Sequence, residues 1–176
     1  MTYNPDIHHR RSIRLREFDY SSAGGYFITI CAQNRECLFG NVLDGIAVLN
    51  NAGKVLESVW KSLPERFPTI ALDAFVVMPN HVHFIVTIGV PVEFDGAAQE
   101  NRATQGCAPT LDRVVGAFKS IAAAQVNRLL SRTGQPLWQR NYYERVVRNE
   151  TELAGFRDYI IHNPLKWEDD AENPKT

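Results

Sequence analysis

Two histidines that stand two residues apart carry the clearest chemical signal in the sequence. His81 and His83 lie in the apolar run of residues 78–86, which has the composition of a β-strand. Alternate side chains of a strand point to the same face, so both imidazoles project together while Val82 and Phe84 face the core. Two imidazoles on one strand make half of a metal site, because two ligands rarely hold a metal alone. The alternative is a strand that carries two partly exposed polar residues.

A second pair of polar side chains lies near the end of the chain, on a predicted helix. Tyr159 and Asn163 are four residues apart and therefore share one helix face. If this helix packs beside the histidine strand, Asn163 offers an amide oxygen as a third ligand, and Tyr159 points at whatever the metal binds. His162 is a rival ligand by its chemistry. On spacing alone, a structural role for Tyr159 stays open.

Two basic stretches are candidates for contact with phosphates. Residues 8–16 contain four arginines, a type suited to bidentate phosphate contact, although a solvated arm explains them equally; they are Arg10, Arg11, Arg14 and Arg16. Residues 111–148 carry seven Lys or Arg against two acids, with aromatic residues between them, a pattern that suits single-stranded nucleic acid. The alternative is a solvated helix face followed by aromatics of the core. The candidate DNA contacts in this second stretch are Lys119, Arg140, Tyr142, Arg145 and Arg148.

The composition predicts a single soluble globular domain. With 176 residues, 44% of them hydrophobic and 22% charged, the chain is long enough to bury a sizeable core. Its net charge of −1 means that any nucleic acid must be bound by local patches. The three cysteines lack metal-type spacing, and no apolar run suits a membrane helix or a signal peptide. We therefore expect a cytoplasmic protein without a membrane partner.

The order of the predicted elements indicates an α+β fold. Hydrophobic patterning predicts strands over 26–32, 38–43, 70–78, 81–88 and 143–147. It predicts helices over 50–63, ended by Pro64 and Pro68, over 110–132, with Thr110 as N-cap, and from the cap Asn149 to residue 162. This order fits a ferredoxin-like αβ sandwich with a mainly antiparallel sheet and helices packed on one face. We expect a basic arm at 1–20, the domain at 21–167 with a loop at 89–109, and a frayed acidic tail at 168–176.

Several segments together resemble one enzyme family. His81-Val82-His83 resembles the His-hydrophobic-His motif of the HUH single-strand nucleases. Residues 75–80, 138–144 and 159–167 resemble one branch of these enzymes, the REP-associated tyrosine transposases, which are relatives of the single-tyrosine insertion-sequence transposases. The similarity also includes residues 10–15 and 26–31, so it covers nearly the whole chain.

The resemblance implies a ferredoxin-like catalytic domain that cleaves and rejoins single-stranded DNA near short, REP-like hairpins. By position, His81 and His83 match the metal histidines, Tyr159 matches the nucleophile and Asn163 matches the third ligand. We expect the cation to be Mg²⁺ or Mn²⁺, since substrate oxygens would complete its coordination. Attack by Tyr159 on a phosphate would leave a 5′-phosphotyrosine and free a 3′-hydroxyl.

Two other functions remain open at this point. One is a domesticated, non-catalytic protein that binds single-stranded nucleic acid, and the other is a metal-dependent hydrolase that uses water, with Tyr159 structural. The resemblance further implies a bacterial, nucleoid-associated protein. It favours a monomer over a dimer.

Overall fold

The computed structural model describes residues 24–89 and 109–174. The predicted basic arm, almost all of the predicted loop at 89–109 and the last two residues lie outside this range. In chain order the elements are β1 (Gly24–Cys31), β2 (Gly40–Leu43), β3 (Ile46–Leu49), α1 (Asn51–Arg66), β4 (Ile70–Val77), β5 (His81–Ile88), α2 (Leu111–Leu129), β6 (Tyr143–Val147) and α3 (Glu150–His162). Among the described residues, no helix has the length and apolarity that crossing a bilayer would need.

Four strands form one antiparallel sheet in the order β4-β5-β1-β6. Along the chain, β1 leads to α1, β4 and β5, and then to α2 and β6, which is the ferredoxin-like connectivity. The predicted α+β class with an antiparallel sheet is confirmed. Strands β2 and β3 add a hairpin between β1 and α1, and the sequence analysis had only one strand there.

The main core lies between the sheet and helices α1 and α2. The alternate residues of β5 that were predicted to face inward do so: Val82 and Phe84 are fully buried there. The Phe84 ring lies 4.6 Å from Trp60 of α1 and 5.7 Å from Phe118 of α2, measured between ring centroids. Burial of these large rings on two helices anchors one face of β5, and therefore fixes which residues the other face presents.

Helix α3 packs on the opposite face of the sheet, whereas the sequence analysis placed all helices on one face. A second, smaller cluster of buried residues there consists of Phe27, Ile85 and Ile160. Because the side chains of Phe27 and Ile85 are apolar, packing of α3 against this face of the sheet removes them from water. Arg157 of α3 donates to both carboxylate oxygens of Asp73, at 2.9 and 2.6 Å, next to an irregularity in β4. This pair ties α3 to the sheet edge.

Two element ends differ from the sequence predictions. Pro64 lies inside the last turn of α1, where it removes one hydrogen-bond donor without ending the helix, and α1 ends at Arg66, two residues before Pro68. The tail after α3 is folded, not frayed, as far as residue 174: Pro164–Asp169 forms a 3-10 helix, and Asn173 is buried with its amide donated to the Trp167 carbonyl. The N-caps Thr110 and Asn149 are confirmed, because each side chain accepts a backbone N–H of its helix.

Helix α1 begins in close contact with the backbone before β2, and one glycine makes this approach possible. A Cβ at Gly53 would collide with the carbonyl oxygen of Phe39, whereas a Cβ at Gly116 of α2 would meet nothing within 4 Å. We expect Gly53→Ala to lower the free energy of unfolding in urea by about 1–3 kcal/mol because of overpacking. Gly116→Ala, the matched control, should raise it by about 0.5–1 kcal/mol. Equal effects of the two substitutions would contradict this account.

Candidate metal and nucleophile site

The histidine pair of β5 is buried beneath α3. His81 is fully buried and His83 is 3% exposed, so the alternative of two partly exposed polar residues is excluded. Their ring centroids lie 4.5 Å apart. Both side chains project from the face opposite the main core, as the alternation of the strand predicts.

Neighbouring side chains orient both rings. Nδ1 of His81 lies 2.8 Å from Oδ1 of Asn80, and an amide oxygen can only accept, so Nδ1 carries the proton and Nε2 has a free lone pair. Asn80 is itself fixed, because its Nδ2 donates to the carbonyl oxygens of Arg35 (3.1 Å) and Glu172 (2.7 Å). Nδ1 of His83 lies 2.7 Å from the hydroxyl oxygen of Thr29.

Three buried polar atoms around this pair have no hydrogen-bond partner among the described residues. They are Nε2 of His81, Nε2 of His83 and Oδ1 of Asn163. A buried polar atom without a partner destabilises the fold by roughly 1–3 kcal/mol. A cation bound by all three atoms would remove this penalty.

A carboxylate that the sequence analysis missed completes the group. Potential ligand atoms of His81, His83 and Asp170 all lie within 4.8 Å of one another. Oδ1 of Asp170 accepts the backbone N–H of Glu172 at 2.7 Å, and its Oδ2 lies 3.5 Å from Nδ2 of Asn163. Two imidazoles, an amide oxygen and a carboxylate fit a divalent cation. Asp170 falls in the segment predicted to be a frayed tail, so no signal in the sequence singled it out.

The electrostatics of the site favour a bound cation. Burial lowers the pKa of His81, although the nearby carboxylates of Asp170 and Glu172 act to raise it. Burial also lowers the pKa of His83 well below its usual value, and His81 reinforces the effect. Both imidazoles are therefore neutral at neutral pH, which is the form that binds metals.

Tyr159 borders the site and is open to solvent. Its side chain is 41% exposed, and its ring centroid lies 5.1 Å from that of His83. Burial of part of the side chain raises the pKa of Tyr159, and the Asp170 carboxylate raises it further. A positive charge near the Tyr159 hydroxyl would lower its pKa and so oppose the effect of the Asp170 carboxylate.

Tyr159 lies in a cleft of about 1100 Å³, which also contains a second possible nucleophile, Cys31. Burial and the Glu172 carboxylate raise the pKa of the Cys31 thiol to about 12. The thiol is therefore protonated at neutral pH, and the thiolate is the reactive form. Cys31 is paired directly with His81 across β1 and β5, so its protonated state, and not its position, argues against it as the nucleophile.

The rival ligand His162 lies away from this group. It is exposed, and its Nδ1 lies 2.9 Å from a carboxylate oxygen of Asp158 on the same helix. Asn163, one residue later and at the end of α3, is 2% exposed, and its side chain interacts with the His81 imidazole. The geometry therefore favours Asn163 over His162 as the third side chain.

The predicted DNA contacts lie in different surroundings. Arg145 and Tyr142 line the cleft, whereas Arg140 borders a second, smaller groove beside α2, and Arg148 is exposed. The ammonium of Lys119 donates to the carbonyl oxygens of residues 139 and 140 at 2.8 and 3.0 Å, so it supports the backbone there. The Tyr142 hydroxyl donates to Asp112 at 2.8 Å. The predicted contacts Arg10, Arg11, Arg14 and Arg16 lie outside the described residues.

Comparison with known proteins finds relatives along most of the chain, although no protein-family model matches it. A Haemophilus influenzae protein described as "Uncharacterized protein" is 41% identical over 175 residues, which is 96% of this chain and 95% of that protein. Another protein of the same strain, named "Putative REP-associated tyrosine transposase", is 26% identical over 148 residues, 84% of this chain and 74% of that protein. A solved structure of a REP-associated tyrosine transposase bound to a REP hairpin is 20% identical, covers 88% of this chain and 73% of that chain, and has a TM-score of 0.55. This structural likeness shows a shared fold.

Asn80 provides a test of how the site is organised. Asn80→Ala removes the acceptor that fixes the His81 tautomer, and we expect it to weaken Mn²⁺ binding roughly 10–100-fold in isothermal titration calorimetry. Asn80→Asp keeps an acceptor oxygen and should retain more of the affinity. Asn41→Ala, on the exposed side of β2, is the control and should bind as the unaltered protein does. Unchanged affinity in a folded Asn80→Ala protein would refute this role.

Proposed function

We propose that the chain is a REP-associated tyrosine transposase, which cleaves and rejoins single-stranded DNA at hairpin-containing sites through a 5′-phosphotyrosine intermediate. One observation carries the proposal: Nε2 of His81, Nε2 of His83 and Oδ1 of Asn163 are buried without partners beside the exposed hydroxyl-bearing ring of Tyr159. A protein that only binds nucleic acid has no use for this arrangement. In this proposal the protein is an HUH-type tyrosine enzyme.

Four side chains would hold a divalent cation, with Mg²⁺ or Mn²⁺ proposed. His81 and His83 present neutral imidazoles, Asn163 presents its amide oxygen, and Asp170 adds the negative charge that lowers the cost of burying the cation. When bound, the cation would neutralise the negative charge that develops on the phosphate oxygens. Asn80 and Thr29 keep the two rings in orientation through their Nδ1 atoms.

Tyr159 performs the covalent step in this proposal. Its oxygen loses its proton and forms a bond to phosphorus, while the bond from phosphorus to the 3′ oxygen breaks and that oxygen takes up a proton. The strand then has a free 3′-hydroxyl, and its 5′ phosphate is linked to the tyrosine. Attack by the 3′-hydroxyl of another strand reverses the step and releases Tyr159. The phosphodiester linkage is conserved throughout, so rejoining needs no further energy source.

The proposed partner is single-stranded DNA with a REP-like hairpin. The solved relative is bound to a REP hairpin, and Arg145 and Tyr142 line the cleft that leads to Tyr159. One chain supplies Tyr159 and both histidines, which supports catalysis by a monomer, with a dimer as the alternative. The proposal places the protein with bacterial DNA in the cytoplasm.

A covalent adduct is the direct test of this function. Incubation with Mn²⁺ and a labelled hairpin oligonucleotide from beside the gene should give labelled protein on a denaturing gel. Tyr159→Phe removes the attacking oxygen but keeps the ring, so the adduct should be absent, as it should be with EDTA. Cleavage without an adduct, surviving Tyr159→Phe, would indicate a hydrolase. Binding without cleavage, for several flanking hairpins, would indicate a domesticated binding protein.

Asp170 offers a test of the metal site that does not depend on DNA. We expect Asp170→Asn to weaken Mn²⁺ binding by about tenfold or more, because it removes the negative charge among the four proposed ligands. Asp169→Asn is the matched control: Asp169 lines the cleft but is outside the ligand group, so this variant should bind almost normally. Free Mn²⁺, measured by electron paramagnetic resonance, reports the affinity. Equal losses in both variants would argue against a ligand role for Asp170.

A further inference from the structure

Strand register places a second tyrosine in line with the histidine site. Thr29 of β1 pairs with His83 of β5 on one side and with Tyr143 of β6 on the other. Directly paired residues of neighbouring strands point to the same face of a sheet. Tyr143 therefore shares the face of His83, and two strand spacings put their backbones about 10 Å apart. One or two nucleotides can span that distance.

The Tyr143 ring is exposed in the same cleft as the nucleophile. Its side chain is 48% exposed, and it lines the cleft together with Tyr159. Both tyrosine rings contact the buried ring of Phe27 edge-on, with centroids at 6.4 Å for Tyr143 and 5.8 Å for Tyr159. Phe27 in turn stacks on Phe156 of α3 at 4.7 Å. A packed aromatic base thus supports Tyr143, while much of its surface stays open.

A cationic side chain lies next to this ring. Arg145 follows Tyr143 by two residues on β6, so it points to the same face, and it also lines the cleft. Its guanidinium lies 5.5 Å from the Phe156 ring and 3.5 Å from a carboxylate oxygen of Glu152, and its side chain is 52% exposed. The charge is available to a ligand, since an exposed pair of this length is weak.

We propose that Tyr143 and Arg145 form a subsite that binds one unpaired nucleobase of the substrate strand, close to the phosphate that Tyr159 attacks. This inference rests on the proposed function and assigns a stacking role to two residues of β6. An exposed aromatic ring beside a cation is the arrangement that binds single-stranded nucleic acid, with the ring stacking on a base and the cation contacting its phosphate.

The neighbouring Tyr142 also lines the cleft, but its ring is less exposed than that of Tyr143. It is half-buried, packs against the main core and donates its hydroxyl to Asp112. Tyr143 faces the nucleophile side of the sheet, because successive residues of a strand point to opposite faces. Tyr143, and not the Tyr142 predicted from the sequence, is therefore the base-stacking residue. Stacking accepts any base, so the subsite holds the strand in register without reading its sequence.

The test uses the Tyr159→Phe protein, which binds without cleaving. A hairpin oligonucleotide carries the fluorescent base 2-aminopurine at each unpaired flanking position in turn, with Mn²⁺ present, and anisotropy of a distant label reports binding separately. At one position we expect the 2-aminopurine emission to be quenched on binding. Adding Tyr143→Ala should abolish that quenching and weaken affinity roughly tenfold, whereas Tyr143→Phe should preserve both. Arg145→Ala should weaken affinity and reduce its dependence on salt.

Tyr143→Leu covers the case in which the alanine variant fails to fold, because leucine keeps an apolar contact with Phe27 but cannot stack. It should also lose the quenching. Quenching that persists in a folded Tyr143→Ala or Tyr143→Leu protein, with binding intact, would overturn the subsite and leave the proposed function standing. Absence of any DNA binding by the protein with Tyr143 intact would overturn both.

Discussion

The burial of two neutral imidazoles with unused lone pairs is the constraint on which the rest of the structure depends. His81 and His83 lie on a strand whose other face is anchored by large rings of the main core, so they cannot turn toward solvent. A buried lone pair without a partner is costly. The elements around the pair provide orienting partners for both Nδ1 atoms, together with the amide oxygen of Asn163 and the Asp170 carboxylate as candidate ligands.

Three separate segments assemble this site within one chain. Helix α3 contributes Tyr159 and Asn163, and the Arg157–Asp73 ion pair and the Phe27 cluster hold it against the sheet. The tail brings Asp170, and it is tied down where Arg35 pairs with Glu172 at 2.9 Å. The Asn80 amide joins the two parts, since it binds the Glu172 backbone and the His81 ring together. Direct contacts therefore link the proposed metal ligands, the proposed nucleophile and the conformation of the tail.

Local patterns in the sequence predicted much of this arrangement, and long-range packing accounts for what they missed. The alternation in β5 and the i, i+4 spacing on α3 are properties of single elements, so they identified His81, His83, Tyr159 and Asn163. The position of Asp170 depends on contacts with residues 35 and 80, which a charged terminal segment does not reveal. The side of the sheet that α3 covers likewise depends on the packing of Phe27 and Ile85 against Ile160, which is distant in sequence. The hairpin of β2 and β3 had a usable signal in Asp44-Gly45, a turn dipeptide whose φ values are 50° and 73°.

The central claim is that four side chains from β5, α3 and the tail form one divalent-metal site facing Tyr159. Anomalous X-ray diffraction from crystals soaked in Mn²⁺, collected at the manganese edge, tests it most directly. The account predicts one strong peak within bonding distance of Nε2 of His81, Nε2 of His83, Oδ1 of Asn163 and the Asp170 carboxylate. Saturating Mn²⁺ that leaves both Nε2 atoms unbound, or that binds elsewhere in the cleft, would contradict it.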